Sequence, residues 1–211
     1  MDRLGMRCAA CGEPAGALIC PRCLPQAAWR APVRVEGLRG HWTLGRYDGP
    51  LGAALQRAKY RPDRQVGLAL AAAVEARMRP MLPDGAFSAI VPAPSGAASR
   101  LRRGFSLPAL LAGGLRGAAP IRPVLRIGPG PQQAGLSGQA RQENLRGRVR
   151  AEAALSGRVL LVDDVLTTGA TSAACARELL GCGAHEVWLL TLCVAGADLP
   201  GAAMRRSSSP R

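Results

Sequence analysis

Arg158-Val-Leu-Leu-Val-Asp163-Asp164-Val-Leu-Thr167-Thr168-Gly169-Ala170-Thr171, running on into Ser172-Ala-Ala-Cys-Ala-Arg-Glu-Leu-Leu180, is the stretch from which the rest of the chain can be placed. Val159 to Val162 are four apolar, partly β-branched residues in a row, the pattern of a strand buried on both faces. From Thr171 to Leu180 the apolar positions return at helical spacing, and Gly181 and Gly183 offer the stop. The spacing predicts a short loop between strand and helix that holds two carboxylates, three threonines and a glycine. Such a loop crosses the carboxyl end of a sheet strand, where open α/β sheets bind their ligands. Gly169 lets a ligand approach the backbone, and the Thr hydroxyls with the first N–H groups of the helix form an anion cradle.

The two halves of the loop ask for different chemistry. Thr167 to Thr171 suit a phosphate. Asp163 and Asp164 would repel one, so they face a neutral polyol, a cation, or both. A ribose 5-phosphate meets both demands, with Mg²⁺ nearby if more phosphate is attached. Other phosphate loops fit less well: the Gly-Lys-Ser/Thr of the P-loop and the three spaced glycines of the dinucleotide fingerprint are absent from this run. A receiver-type acidic pocket would account for the carboxylates but not for the threonines.

At these residues the run resembles the phosphoribosyl-pyrophosphate (PRPP) motif of type I phosphoribosyltransferases: a hydrophobic strand, two acids, then Thr-Thr-Gly-x-Thr. The motif implies the superfamily without naming a base.

The chain has 211 residues, enough for one ordinary domain and a small appendage. Aromatics are only 3%, so the core packs small side chains. No apolar run reaches membrane length and the first residues form no signal peptide, so the expected location is the cytoplasm, where thiols stay reduced. Net charge is +14 and uneven. Between Gly96 and Arg150, ten arginines stand against Glu143 alone, which leaves nine of those fourteen charges. From Ala151 to Pro200 two arginines face six acids. The basic segment points to a polyanionic partner, a pyrophosphate-bearing substrate or nucleic acid. An arginine-rich composition spread over a solvated surface is the plainer alternative.

Cys8-Ala-Ala-Cys11 and Cys20-Pro-Arg-Cys23 are two Cys-x₂-Cys knuckles eight residues apart. Each pair offers two thiolates to one ion, and two pairs complete a tetrahedron around Zn²⁺. A Cys₄ site leaves no open position, so the metal is structural, and so short a module needs it to fold. Cys175, Cys182 and Cys193 read as small core residues.

Elsewhere, alternation through His41-Trp-Thr-Leu-Gly-Arg-Tyr47 predicts a two-stranded piece in a connector. Helices are predicted over Leu51–Lys59 and Gln65–Arg79. Phe87–Val91 reads as the first core strand and runs into Pro92-Ala-Pro94-Ser95-Gly96, a second loop suited to an oxyanion. Further expectations are a helix over Leu107–Leu115, strands over Ile121–Ile127 and Glu186–Val194, and a flap over 128–147. The unit boundaries that follow are a zinc ribbon at 1–30, a connector with helices at 31–85, the core at 86–200 and a disordered tail at 201–211. His41 and His185 have no partner at ligand spacing and read as structural or exposed. Lys59 is the one lysine among 28 basic residues. An ammonium is not interchangeable with a guanidinium, so Lys59 is expected to make a tight anion contact.

Together these pieces resemble the ComF (ComFC-type) competence proteins, phosphoribosyltransferase-like proteins with an N-terminal zinc ribbon. The likeness rests on the four cysteines, Tyr47-Asp-Gly-Pro-Leu51, Leu55-Gln-Arg-Ala-Lys59-Tyr60, Val91-Pro-Ala-Pro94, Arg100-Leu-Arg-Arg-Gly-Phe105, the Gln132/Leu136/Arg141/Asn144 spacing and the acid-threonine loop. It implies an α/β fold with a type I phosphoribosyltransferase-like core, a mostly parallel sheet of about five strands flanked by helices. It also implies handling of single-stranded DNA in natural transformation beside a helicase-like partner. Ser106-Leu107 departs from the Asn-Gln usual there, and Gly147-Arg148-Val149 from Gly-Ala-Phe.

For PRPP, Asp163 and Asp164 would face the ribose hydroxyls and Mg²⁺. Val165, Thr167, Thr168, Gly169, Ala170 and Thr171 would surround the 5-phosphate. Ser95, Arg102 and Arg103 are candidates for the pyrophosphate, Arg141 would arrive with the flap, and Lys59 is a further anion contact. Two functions remain open at this point: a PRPP-site protein that serves DNA uptake, and an active Mg²⁺-dependent phosphoribosyltransferase joining PRPP to a nucleobase.

Overall fold

Val159 to Val162 have no exposed surface, and the strand they anchor runs on for nine residues, through both acids. The structure, a computed structural model, describes residues 6–24, 28–31, 35–61, 63–128 and 147–195, with backbone alone for 29–31. The flap from 129 to 146, with Arg141, and the tail from 196 onward lie outside the described residues.

In chain order the elements are β1 (Trp29–Ala31), β2 (Gly40–Arg46), α1 (Pro50–Tyr60) and α2 (Arg64–Met78), closed by a 3₁₀ turn at Arg79–Met81. There follow β3 (Ala89–Pro92), α3 (Ala97–Arg103), α4 (Leu107–Gly113), β4 (Leu125–Ile127) and β5 (Val149–Ala151). The chain then forms β6 (Arg158–Leu166), α5 (Ala170–Gly181) and β7 (Glu186–Val194). Among the described residues the main sheet has five strands in the order β1-β2-β7-β6-β3, parallel except for β1 against β2. The molecule is therefore α/β with a mainly parallel sheet.

Two apolar clusters flank that sheet. One gathers Leu160, Val162, Leu190 and Leu192 with residues of α1, α2 and α4, and continues into Cys8, Ile19, Cys20 and Cys23. The other gathers Val159, Leu161, Val187 and Leu189 with α5. The alternation 159/161 against 160/162 is the period-2 rule of a strand covered on both sides.

Several boundaries move from their sequence reading. β2 is interior, paired to β1 and β7, so the segment read as a connector supplies a strand of the main sheet. Gly40 makes this packing workable: a Cβ there would collide with the Trp188 ring across the ladder. The strand expected over Ile121–Ile127 shrinks to β4, which pairs with β5 in a separate two-stranded sheet. Pro120 and Pro123 explain this, since neither can donate to a ladder. Only a bridge remains there, with Ile90 N–H donating to Pro120 O and Arg122 N–H to Ile90 O. A helix, α3, occupies the segment after Ser95-Gly96 and buries none of its own residues.

Candidate functional site

Because β2, β3, β6 and β7 run parallel, their carboxyl ends share one edge, with Pro92 beside Val162, and Leu166 and Arg46 both beside Val194. The loop after β6 curls there into α5. Gly169 occupies the N-cap position in the left-handed region, φ +79°, and α5 has no side-chain cap. A Cβ on Gly169 would lie 2.5 Å from Val35, so both the turn and its neighbour require glycine. Asp163 and residues 165–172 line a hollow of about 80 Å³. An apolar cavity of about 150 Å³ takes benzene, so this hollow has the scale of a phosphate group rather than of a nucleoside. Thr167 and Thr168 are exposed, and residues 170–172 at the start of α5 line the hollow, where the first N–H groups of a helix lack partners within it.

The acids do not stand in the loop, as the sequence reading had them. β6 continues to Leu166, and both carboxylates lie on it, 9% and 8% exposed. Neighbours on a strand point to opposite faces. Asp163 shares the face of Val159 and Leu161 and lines the hollow, whereas Asp164 shares the face of Leu160 and Val162. The Asp164 N–H donates to Asp163 Oδ1 at 2.8 Å, which locks the two residues together. Burial, and then the neighbouring Asp164 charge, push the Asp163 carboxyl up to about 7.

Lys59, in the last turn of α1, donates its ammonium to Asp164 Oδ1 at 2.8 Å. Both side chains are largely buried, 16% and 11% exposed. Burial works to lower the Lys59 pKa, but the Asp164 carboxylate reverses this and holds it above its ordinary value. The anion expected beside the lone lysine is thus a carboxylate of the chain itself.

On the adjoining loop, Ser95 Oγ lies 3.0 Å from Ser106 Oγ. Ser106 is the N-cap of α4 and accepts from the Ala109 N–H, a task serine performs as well as the usual asparagine. Arg102 is exposed, and the buried Nε of Arg103 has no hydrogen-bond partner among the described residues. Sequence reasoning missed Val35 under Gly169. It also missed the polar row beside Asp163, where Thr191 is its register partner and bonds His41 Nε2 at 2.8 Å. Burial pulls the His41 pKa down to about 4, so the ring is neutral.

Mg²⁺ does not fit the acid pair. One carboxylate already carries an ammonium and the other points away from it. Among the described residues the one cluster of three or more metal-type ligands is elsewhere, at the cysteines.

Compared with family models, the chain matches none. Compared with curated proteins, it is 32% identical over 199 residues to the DNA utilization protein YhgH of Salmonella typhi, across 88% of this chain and 83% of that protein. The YhgH of Escherichia coli (strain K12) is 32% identical over 200 residues, with 87% and 82% covered. The YhgH of Shigella flexneri is 31% identical over 201 residues, with 88% and 83% covered. The chain belongs to the YhgH family. These relatives, named for DNA utilization, support the competence-type level of the resemblance read from the sequence.

In this YhgH-family chain the N-terminal cysteines could hold a structural metal. All four Sγ atoms lie within 4.8 Å of one another. Zn–S bonds of about 2.3 Å in a tetrahedron set the sulfurs roughly 3.8 Å apart, and Cys11 Sγ to Cys20 Sγ is 3.9 Å. N–H groups of Ala10 and Cys20 donate to Cys8 Sγ at 3.4 and 3.3 Å. Burial alone would raise that thiol, but these and related hydrogen bonds bring it down to about 6, toward the thiolate a metal needs. Cys175 and Cys193 are fully buried, and their thiols are pushed up by burial. Among the described residues no helix is long and apolar enough to cross a membrane.

Proposed function

We propose that the carboxyl edge of the sheet binds a phosphorylated ribose, PRPP being the ligand the resemblance implies, and that the chain serves DNA handling of the competence type. The observation that carries the first half is the phosphate-sized hollow between Asp163 and the uncapped start of α5. In this reading the 5-phosphate meets the N–H groups of residues 169–171 and the Thr167, Thr168 and Thr171 hydroxyls, with Val165 and Ala170 contributing backbone. Asp163 and Asp164 accept from ribose hydroxyls. Arg103, whose buried Nε has no partner among the described residues, Arg102 and Ser95 take the pyrophosphate, joined by Arg141 of the flap. Any Mg²⁺ comes bound to that pyrophosphate rather than to the acids.

The second half rests on the names of the relatives and on charge. No acid occurs from Gly85 to Gln142. Arg100, Arg102, Arg116 and Arg122 have no ion-pair partner among the described residues, and Arg116 lines a groove of about 580 Å³ floored by Pro92 and Ile121. A phosphate backbone fits such a surface.

Calorimetric titration with PRPP and with ribose 5-phosphate tests the first half. Binding by the wild type and at least tenfold weakening in Asp163→Asn support it; wild-type heat indistinguishable from buffer overturns it. Single-stranded DNA affinity should fall steeply with salt and survive Asp163→Asn. Pyrophosphate release with a free base added would make the chain a phosphoribosyltransferase.

A further inference from the structure

We propose that Lys59 is the built-in cation of the carboxylate pair, so that the sugar–phosphate part of the ligand is held with no divalent ion on Asp163 or Asp164. The inference rests on the ribose phosphate reading above. Two adjacent buried carboxylates need a counter-charge. Here α1 supplies it from 105 residues away in sequence, at 2.8 Å from Asp164 Oδ1. The strand alternation turns the two acids to opposite faces, so they do not form a chelating pair. The backbone bond from Asp164 N–H to Asp163 Oδ1 fixes that divergence.

The same geometry explains why a lysine stands here in a chain that otherwise uses arginine. An ammonium is a point charge and engages one oxygen, whereas a guanidinium fork takes both oxygens of a carboxylate. Lys59 contacts Oδ1, and no hydrogen bond reaches Oδ2 among the described residues. Oδ2 thus stays available as an acceptor for a sugar hydroxyl. Lys59 is a positioning residue: it acts on the ligand through Asp164.

The test is titration of ribose 5-phosphate into wild type, Lys59→Met and Lys59→Arg, each in EDTA and in millimolar Mg²⁺. Wild-type affinity should agree within twofold in the two buffers. Lys59→Met should bind at least tenfold more weakly in EDTA and recover most of the loss in Mg²⁺, a response that a purely structural lysine would not give. Lys59→Arg should bind more weakly in both buffers, because its fork occupies Oδ2. Wild-type binding that requires Mg²⁺, or Lys59→Met binding in EDTA as tight as wild type, overturns the inference and leaves the ribose phosphate reading standing. Should Lys59→Met fail to fold, Lys59→Met/Asp164→Asn removes both charges; weak binding there that ignores Mg²⁺ supports the inference, and recovery by Mg²⁺ overturns it. Absence of wild-type binding in both buffers overturns the ribose phosphate reading, and this inference with it.

Discussion

The two ends of one sheet are built on opposite principles. At the amino end, Glu186 is shared by Arg158 at 2.8 Å, the Trp188 indole N–H at 3.2 Å and Arg39 at 3.9 Å. Trp42 stacks on Trp188 with centroids 4.7 Å apart and meets Phe87 edge-on at 6.2 Å. Ser88 Oγ donates into the carbonyls of Ser156 and Arg158. These side chains find partners within the fold. At the carboxyl end, burial raises the pKa of Asp163, a glycine holds a left-handed turn and the Arg103 Nε has no partner among the described residues. The difference teaches where the chain invests in stability and where it leaves groups unsatisfied, which is where the proposed ligand would sit.

Substitutions at the two ends should therefore separate stability from binding. The largest effect belongs to the amino end. Trp42→Ala removes the ring that Trp188 and Phe87 pack on and should cost about 3 kcal/mol in urea unfolding, with ribose 5-phosphate affinity unchanged in the folded protein. A loss of affinity in that variant would break the comparison.

At the carboxyl end, Gly169→Val sets a β-branched residue at φ +79° against Val35. It should weaken ribose 5-phosphate binding roughly a hundredfold, near 2.7 kcal/mol, read by calorimetry. Asp163→Asn should do the reverse of an ordinary core substitution. The folded pKa of Asp163 is raised, so its stability contribution is full below about pH 4 and is lost as pH rises through about 7. Asparagine escapes that loss. The variant should gain on wild type between about pH 4 and 7 and level off above that, measured by denaturation at each pH. Buried neutral His41 makes both folds less stable as pH falls below about 6.5, so it cancels from the difference. The smallest effect sharpens the contrast from the other side: Arg158→Ala, in a largely exposed ion pair, should lower the unfolding free energy by no more than about 1 kcal/mol and leave binding unchanged.

How legible these ends were depends on the range of the interactions. The core of the strand at Val159–Val162, the helix after Gly169, the helices at 51–59 and 65–79 and the paired cysteines follow from local periodicity and spacing, and the three helices lie within a residue or two of their expected bounds. The extent of β6 was misjudged because two aspartates look like the start of a loop, while the parallel ladder to β7 carries the strand to Leu166. Once the strand includes them, the period of two divides the acids between faces. The interior place of β2 was hidden for a similar reason: its alternation signals one wet face, and only the ladders to β1 on one edge and β7 on the other set it inside the sheet.

By itself the sequence determined the kinds of chemistry present: a thiol set spaced for one metal, an acid-threonine-glycine run before a helix, an arginine-rich segment with a single acid, and one lysine out of keeping with the rest. Tertiary structure alone decided who meets whom. The ammonium of Lys59 reaches Asp164 because α1 packs on that face of the sheet, and Val35 lies under Gly169 because the chain before β2 comes back to the carboxyl edge. Spacing along a chain fixes which side of an element a residue occupies. The encounter of two elements depends on the whole core that presses them together, and no short stretch of residues carries that term.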